Sequence, residues 1–156
     1  TETLEDVALS LWGRGAERGP GDDAASPRLP WIRHVAREAG RVGAAIDALK
    51  RRSSMEFGRL LNESHASLRD DYQVSHPMLD RLVVAANDAG AWGARLTGAG
   101  FGGCMIAVCC AEAVAAVTRA LRQTLATAQQ DELVFEAHPG AGARVEPADH
   151  GSNPQP

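Results

Sequence analysis

Residues 93–108, GARLTGAGFGGCMIAV, form the stretch that decides the fold of this chain. Four of the six residues from Gly98 to Gly103 are glycine, and an apolar run follows them at once. The residues before the loop, Trp92 to Leu96, predict a short strand, and Met105 to Cys109 predict a second, buried one. We therefore expect two strands joined by a glycine-rich loop.

The glycines make this loop the leading candidate for a binding site. Two residues would suffice to turn a hairpin. A longer loop rich in glycine indicates unusual φ angles, or a group that must approach the backbone closely. Successive N–H groups exposed in such loops bind anions such as phosphate. The alternative is a strained turn whose glycines serve its geometry only, and composition leaves both interpretations open.

Two long motifs give the sequence a family resemblance. Leu96 to Cys104 resembles the third motif of the GHMP small-molecule kinases, in its galactokinase form. Residues 57–72, FGRLLNESHASLRDDY, resemble the galactokinase helix that lies upstream of that motif. Phe101 favours the galactokinase form, because mevalonate-type relatives usually carry another glycine there.

Two shorter matches keep the order of the same family. Arg33-His34-Val35, with Glu38 and Arg41, resembles an earlier galactokinase helix, and Pro139 to Ala143 resembles the closing turn. The resemblance runs from about Thr3 to Val145. No stretch of the 156 residues resembles the sugar motif, the nucleotide loop or the catalytic Asp and Arg of the family's N-terminal half.

The resemblance implies a fold for this chain and a role for its glycine-rich loop. Residues 1–145 would form the C-terminal domain, an α+β fold with a ferredoxin-like antiparallel sheet, helices on one face and extra N-terminal helices. Residues 146–156 form a polar tail that we expect to be disordered. The loop would contact the phosphates of ATP through Gly98, Ala99, Gly100, Phe101, Gly102 and Gly103.

The parent activity implied is ATP-dependent phosphorylation of D-galactose to galactose 1-phosphate. ATP and Mg²⁺ would be held mainly by the N-terminal half, which would be the partner of this domain. We expect no catalytic residue and no metal ligand in this chain, and expect it to be inactive alone. Two alternatives stay open: a GHMP kinase of the mevalonate type, and a non-catalytic galactokinase-like module that binds sugar or nucleotide.

Composition limits the other partners. A chain of 156 residues, 44% hydrophobic and 23% charged, fits one globular domain with a real core. The net charge of −4 argues against nucleic acid or an anionic membrane as the main partner. No apolar run is long enough for a membrane helix, and no signal peptide is evident. Cys104, Cys109 and Cys110 have no metal-binding spacing and indicate a reducing compartment, so we expect a cytoplasmic protein.

Several polar residues suggest chemistry without completing a site. Asn62, His65, Asp70 and Asp71 follow one another on a predicted helix, but no base faces a matched nucleophile. Adjacent carboxylates at a helix end point in divergent directions. We therefore predict surface or interdomain contacts for these side chains, and a packed or solvated role for His34.

Periodicity and capping residues predict the remaining elements. Ser53 and Glu56 have the spacing of a capping box. Ser75-His76-Pro77 begins a helix that Gly90 ends. The predicted order is a short helix from Thr3 to about Leu11, a loop over 13–30, helices over 31–51, from Ser53, and over 77–89, the hairpin, a helix over 113–128, and strands over 133–137 and 143–145.

Overall fold

The structure is a computed structural model that describes residues 29–126 and 133–142. The predicted helix before residue 13, the strand over 143–145 and the tail over 146–156 lie outside the described residues. The elements follow the order α1 (Leu29–Lys50), α2 (Ser54–Asp70), α3 (Pro77–Asp88), β1 (Gly93–Thr97), β2 (Cys104–Val108) and α4 (Val114–Ala126), with a 3-10 turn at Ala111–Ala113.

The first helix turns its apolar stripe away from the core. It begins at Leu29, one residue before a proline that the sequence placed in a loop, because proline is tolerated in the first turn of a helix. Only His34 and Ala48 of α1 are buried. The exposed members of the stripe recur at spacings of three, four and seven: Trp31, Val35, Val42, Ile46 and Leu49.

The second helix begins at Ser54, but without the predicted capping box. The side chain of Ser53 makes no capping hydrogen bond. Glu56 instead accepts hydrogen bonds from Arg59, which also pairs with Glu63 one turn later. Met55 in the first turn is apolar but 68% exposed, so it lies off the buried face. The buried face begins with Gly58 and continues through Leu60, Leu61, Ser64, His65, Ser67 and Leu68.

The third helix matches its sequence prediction closely. His76 is the N-cap and its ring accepts a hydrogen bond from the Met78 N–H at 3.2 Å. Pro77 occupies the first turn, and Gly90 follows the helix with a φ of 101°. The buried face of α3 consists of Leu79, Leu82, Val83 and Ala86.

The two strands form an antiparallel hairpin in which Gly93 pairs with Val108 and Thr97 with Cys104. Ala94 and Leu96 enter the core, and β1 packs against α2 and α3. This arrangement confirms the predicted α+β class with an antiparallel sheet. The core consists of Leu68, Leu79, Leu82, Val83, Ala86, Ala94, Leu96, Val117, Leu121 and Leu125.

The prediction that the second strand is buried is wrong. Cys104 is exposed and Ile106 is 44% exposed. Within the described residues, β2 pairs only with β1, and helices cover one face of the hairpin, so the other face of β2 meets solvent. An apolar run indicates that a segment prefers burial. It does not indicate whether this chain supplies the elements that cover both faces of the strand.

The second helix packs against β1 through bare backbone. A Cβ atom added to Gly58 would overlap the carbonyl oxygen of Trp92, and one added to Gly93 would overlap that of Gly58. Two glycines therefore let a helix and a strand touch without side chains between them. This contact places the polar side of α2 beside the strand that enters the glycine loop.

The segment over 133–142 departs from its prediction. It forms no strand, although Val134 packs partly against the core. Phe135 is 84% exposed, and no described neighbour offers a strand for it to pair with. Among the helices of the described part, none has the length and apolarity to cross a membrane.

Candidate functional site

The glycine loop joins β1 to β2 and has left-handed backbone at three of its glycines. Gly98, Gly100 and Gly102 have φ angles of 78°, 85° and 103°. Phe101 also has a positive φ of 58°, which is uncommon for a bulky residue, and its side chain is 73% exposed. The conformation thus uses three of the four glycines in the way that the sequence predicted.

One side of the loop rests on the linker between α2 and α3. The Phe101 N–H donates to the Val74 carbonyl oxygen at 2.8 Å, and the Gly103 N–H donates to Gly100 at 3.2 Å. A Cβ on Gly100 would overlap the Val74 oxygen. Gly100 is therefore required for packing, whatever else the loop does.

The other side of the loop is open. A Cβ on Gly98 would meet nothing within 4 Å, and the nearest atom to one on Gly102 is the His76 ring at 3.9 Å. In the described part of the chain, no acceptor receives the N–H groups of Gly98, Ala99 and Gly102. Free N–H groups on an open loop are suited to binding an anion.

Asn62 and His65 bind the edge of β1. Asn62 Oδ1 accepts from the Ala94 N–H at 2.9 Å and from Asn87 Nδ2 at 3.0 Å. His65 Nδ1 accepts from the Leu96 N–H at 3.3 Å. The two side chains, three positions apart on α2, replace the strand that would otherwise pair with this edge.

Asp70 and Asp71 do not form a catalytic pair. Asp70 is exposed and accepts from Arg69. Asp71 turns towards α1, where it accepts from Ser67 at 3.0 Å and meets Arg33 at 3.5 Å. Their divergence follows the prediction, and no group of three or more potential metal ligands occurs within the described residues.

A charged cluster joins α1, α2 and β1, and no pattern in the sequence predicts that its members meet. Glu38 Oε1 accepts from Ser64 at 2.6 Å and from Arg95 at 3.0 Å, while Oε2 accepts from Arg41 at 2.7 Å. Burial raises the pKa of the Glu38 carboxyl, but these hydrogen bonds and cations outweigh it and lower the pKa overall. Glu38 is thus held ionised as a structural anchor.

A small cavity lies beside this cluster. Its volume is about 60 Å³, and its walls include Glu38, Arg41, Phe57 and Arg95. Arg41 Nη2 is buried without a protein partner in the described part. A water needs roughly 10–15 Å³, so solvent in the cavity could satisfy that donor.

Two buried histidines connect the helices. His34 Nδ1 lies 3.0 Å from Ser67 Oγ, and its ring stacks on Tyr72. Because the Ser67 hydroxyl donates to Asp71, His34 must donate from Nδ1. Burial lowers the pKa of both His34 and His65 below the ordinary value of 6.5.

These histidines predict a loss of stability in mild acid. The unfolded chain takes up their protons near pH 6.5, whereas the folded chain resists until a lower pH. Stability is therefore full above pH 6.5 and falls below it, by up to about 1.4 kcal/mol per pH unit per histidine. Urea unfolding at pH 7.5, 6.5 and 5.5 measures the slope. A His34→Asn/His65→Asn variant should flatten it, whereas a change of exposed His138 to Gln should leave it intact; equal slopes in all three proteins would contradict the assignment.

Comparison with known proteins assigns the family. Residues 45–127 match the model described as GHMP kinases C terminal, which is more than half of the chain. The chain belongs to this GHMP kinase family. The match contains the glycine loop and its supports on α2 and α3.

The GHMP kinase domain is similar to galactokinases in particular. It is 42% identical to the galactokinase of Streptomyces coelicolor over 144 residues, covering 92% of this chain and 36% of that protein. It is 55% identical to the human galactokinase over 75 residues, covering 47% of this chain and 19% of the relative. The chain thus spans about a third or less of the length of these relatives.

A solved structure shares the fold. The galactokinase of Lactococcus lactis, crystallised in complex with galactose, superposes with a TM-score of 0.64 at 34% identity. The match covers 83% of this chain and 32% of that one.

Proposed function

We propose that this chain acts as the C-terminal domain of a galactokinase, which transfers the γ-phosphoryl group of ATP to D-galactose and forms galactose 1-phosphate. The observation that carries the proposal is the glycine loop, which has open space at Gly98 and N–H groups without a described acceptor, within a sequence 42% identical to a galactokinase over 144 residues. Phe101 and the residues from Asn62 to Tyr72 favour galactokinase over a mevalonate-type kinase.

The loop contributes to phosphoryl transfer by position and charge. Such transfer depends mainly on holding the phosphates in line and on stabilising the negative charge of their oxygens. ATP with Mg²⁺ supplies the reactive phosphoryl group. The N–H groups of Gly98 and Ala99 and the open backbone at Gly102 are available to phosphate oxygens, while Gly100 and Phe101 hold the loop on its support.

The remaining parts of the site belong to an N-terminal galactokinase domain. Within the described residues, no group of three or more potential ligands for Mg²⁺ occurs. The exposed apolar stripe of α1 and the exposed face of β2 are surfaces that such a domain would cover. We place the reaction in the cytoplasm, where the unpaired thiols of the three cysteines stay reduced.

A chimera tests this function. The matching C-terminal part of the Streptomyces coelicolor galactokinase is replaced by this chain, and ADP release is measured with and without D-galactose. We expect galactose-dependent turnover by the chimera and none by the 156-residue chain alone.

Two results would contradict the proposal. Galactose-dependent ADP release by the purified chain alone would show that the catalytic groups have been misplaced. A folded but inactive chimera would favour the non-catalytic alternative. The nucleotide loop of galactokinases has the sequence Gly-Leu-Ser-Ser-Ser-Ala. Such a sequence encoded in frame upstream of Thr1 would independently support the assignment as a kinase.

A further inference from the structure

The glycine loop is held at two points, and both lead to one side chain. The first point is the N–H of Leu96, which donates to His65 Nδ1 at 3.3 Å. Leu96 lies two residues before Gly98. The second is the Val74 carbonyl oxygen, which accepts from the Phe101 N–H at 2.8 Å. Val74 precedes Ser75 in the linker between α2 and α3.

The second nitrogen of His65 faces that linker. His65 Nε2 lies 3.2 Å from Asp80 Oδ1, although its N–H does not align well with the oxygen. The same oxygen accepts from Ser75 Oγ at 2.6 Å. One imidazole therefore connects the strand that enters the loop with the linker on which the loop rests.

This arrangement requires a neutral ring with a fixed tautomer. Nδ1 must lack a proton to accept from Leu96, so the proton must be on Nε2, towards Asp80. A second proton would turn Nδ1 into a donor facing another donor. The ring is 3% exposed, so no solvent molecule readily replaces the lost contact.

We propose that His65 is a positioning residue for the glycine loop, and that protonation of His65 releases the Leu96 end of the loop and weakens nucleotide binding. This inference rests on the proposed function of the loop as the phosphate contact. The charged groups around the ring are Asp80 on α3, Asp70 and Arg69 on α2, and Arg95 on β1. Asp80 favours the added proton, whereas the two arginines and burial oppose it.

Two substitutions separate the two nitrogens. In His65→Asn, the amide oxygen can take the place of Nδ1 and accept from Leu96, but the side chain cannot be protonated. In His65→Gln, the amide nitrogen can take the place of Nε2 and face Asp80, while the acceptor for Leu96 is lost. His34→Gln is the matched control, because His34 is also buried but makes its hydrogen bond and ring contact with Ser67 and Tyr72 of α2 and the linker after it.

Hydrogen exchange of the full 156-residue chain measures the positioning itself. We expect the amides of Leu96 and the loop to exchange about tenfold faster in His65→Gln, as for a lost hydrogen bond, and near the original rate in His65→Asn. His34→Gln should speed exchange in α1 and α2 without a specific effect on the loop.

Should His65→Gln fail to fold, Ser75→Ala tests the linker alone, and it should speed exchange at Phe101 but not at Leu96. Unchanged exchange rates of the loop amides in His65→Gln and in Ser75→Ala would overturn the inference.

Kinetics of the chimera then separate this inference from the proposed function. In His65→Gln we expect the KM for ATP to rise about tenfold with a smaller change in kcat. We measure the ratio of the KM for ATP of the unsubstituted chimera to that of the His65→Asn chimera, and we expect this ratio to rise as the pH falls. The ratio removes the titration of ATP, because ATP titrates in the same way in both measurements. A ratio that does not change with pH would overturn the role of protonation. Loosened amides with an unchanged KM would instead refute the phosphate contact of the loop.

Discussion

A Gly58→Ala variant is expected to lose about 3 kcal/mol of unfolding free energy. Alanine normally stabilises a helix interior relative to glycine by roughly 0.5–1 kcal/mol, so the expected sign is reversed. The reason is the contact of α2 with β1, where a Cβ on Gly58 would overlap the Trp92 carbonyl oxygen. Overpacking costs about 1–3 kcal/mol, and the hydrogen bonds of Asn62 and His65 to β1 would be strained as well.

The chain provides its own control for this substitution. Gly40 and Gly43 lie in α1, and a Cβ on either would meet nothing within 4 Å. Gly40→Ala and Gly43→Ala should each raise the unfolding free energy slightly. Urea unfolding and melting temperature are measured on all three variants, and a fall of about 3 kcal/mol corresponds to roughly 6–12 °C. A Gly58→Ala protein as stable as the α1 variants would show that the two backbones do not touch.

Substitution of Gly98 should abolish most of the turnover in the chimera while leaving the fold intact. Asparagine tolerates left-handed backbone, and the space around Gly98 is open, so Gly98→Asn should change stability by less than about 0.5 kcal/mol. Its side chain would occupy the space that phosphate needs. The loss of one preorganised donor costs about a hundredfold or more in kcat, and a similar loss is expected here.

Gly100→Asn is the matched comparison. The φ of Gly100 is similar, but a side chain there would collide with the Val74 carbonyl oxygen. We expect this variant to melt at a lower temperature and to lose activity together with folded protein. Melting temperature, kcat and the KM for ATP are measured on the same preparations. Normal turnover by a folded Gly98→Asn chimera would leave the loop with a structural role only.

Local sequence rules predicted the parts of this structure that depend on neighbouring residues. Pro77 and Gly90 mark the ends of α3 because one fits a first turn and the other a left-handed residue after the helix. The hairpin and its loop followed from glycine content and the apolar run after it. The left-handed φ at Gly98, Gly100 and Gly102 bears out the use of glycine for conformation.

One error is local: the predicted capping box does not form, and Glu56 instead accepts from Arg59, three residues later. The other errors concern partners that are distant in sequence. The burial of β2 was overstated because no element of the described part covers its second face. The prediction of surface or interdomain contacts for Asn62 and His65 is wrong, because both side chains bind the edge of a strand 31 or 32 residues away and His65 is buried. Gly58, a glycine within the amphipathic pattern of α2, is the local feature that suggests a close contact between this helix and another backbone.

The Glu38 cluster also sets an order in time. Asn62 and His65 can meet β1 once a loop of about 30 residues has closed, whereas Glu38 meets Arg95 across 57 residues. Ser64 lies 26 residues from Glu38, so that contact can form as soon as α1 packs on α2, whereas Arg95 joins it only after α2 lies along the hairpin. Closing the longest loop first would cost chain entropy before any compensating contact exists. We therefore expect the bond between Glu38 and Arg95 to form after the contacts of α2 with α1 and β1.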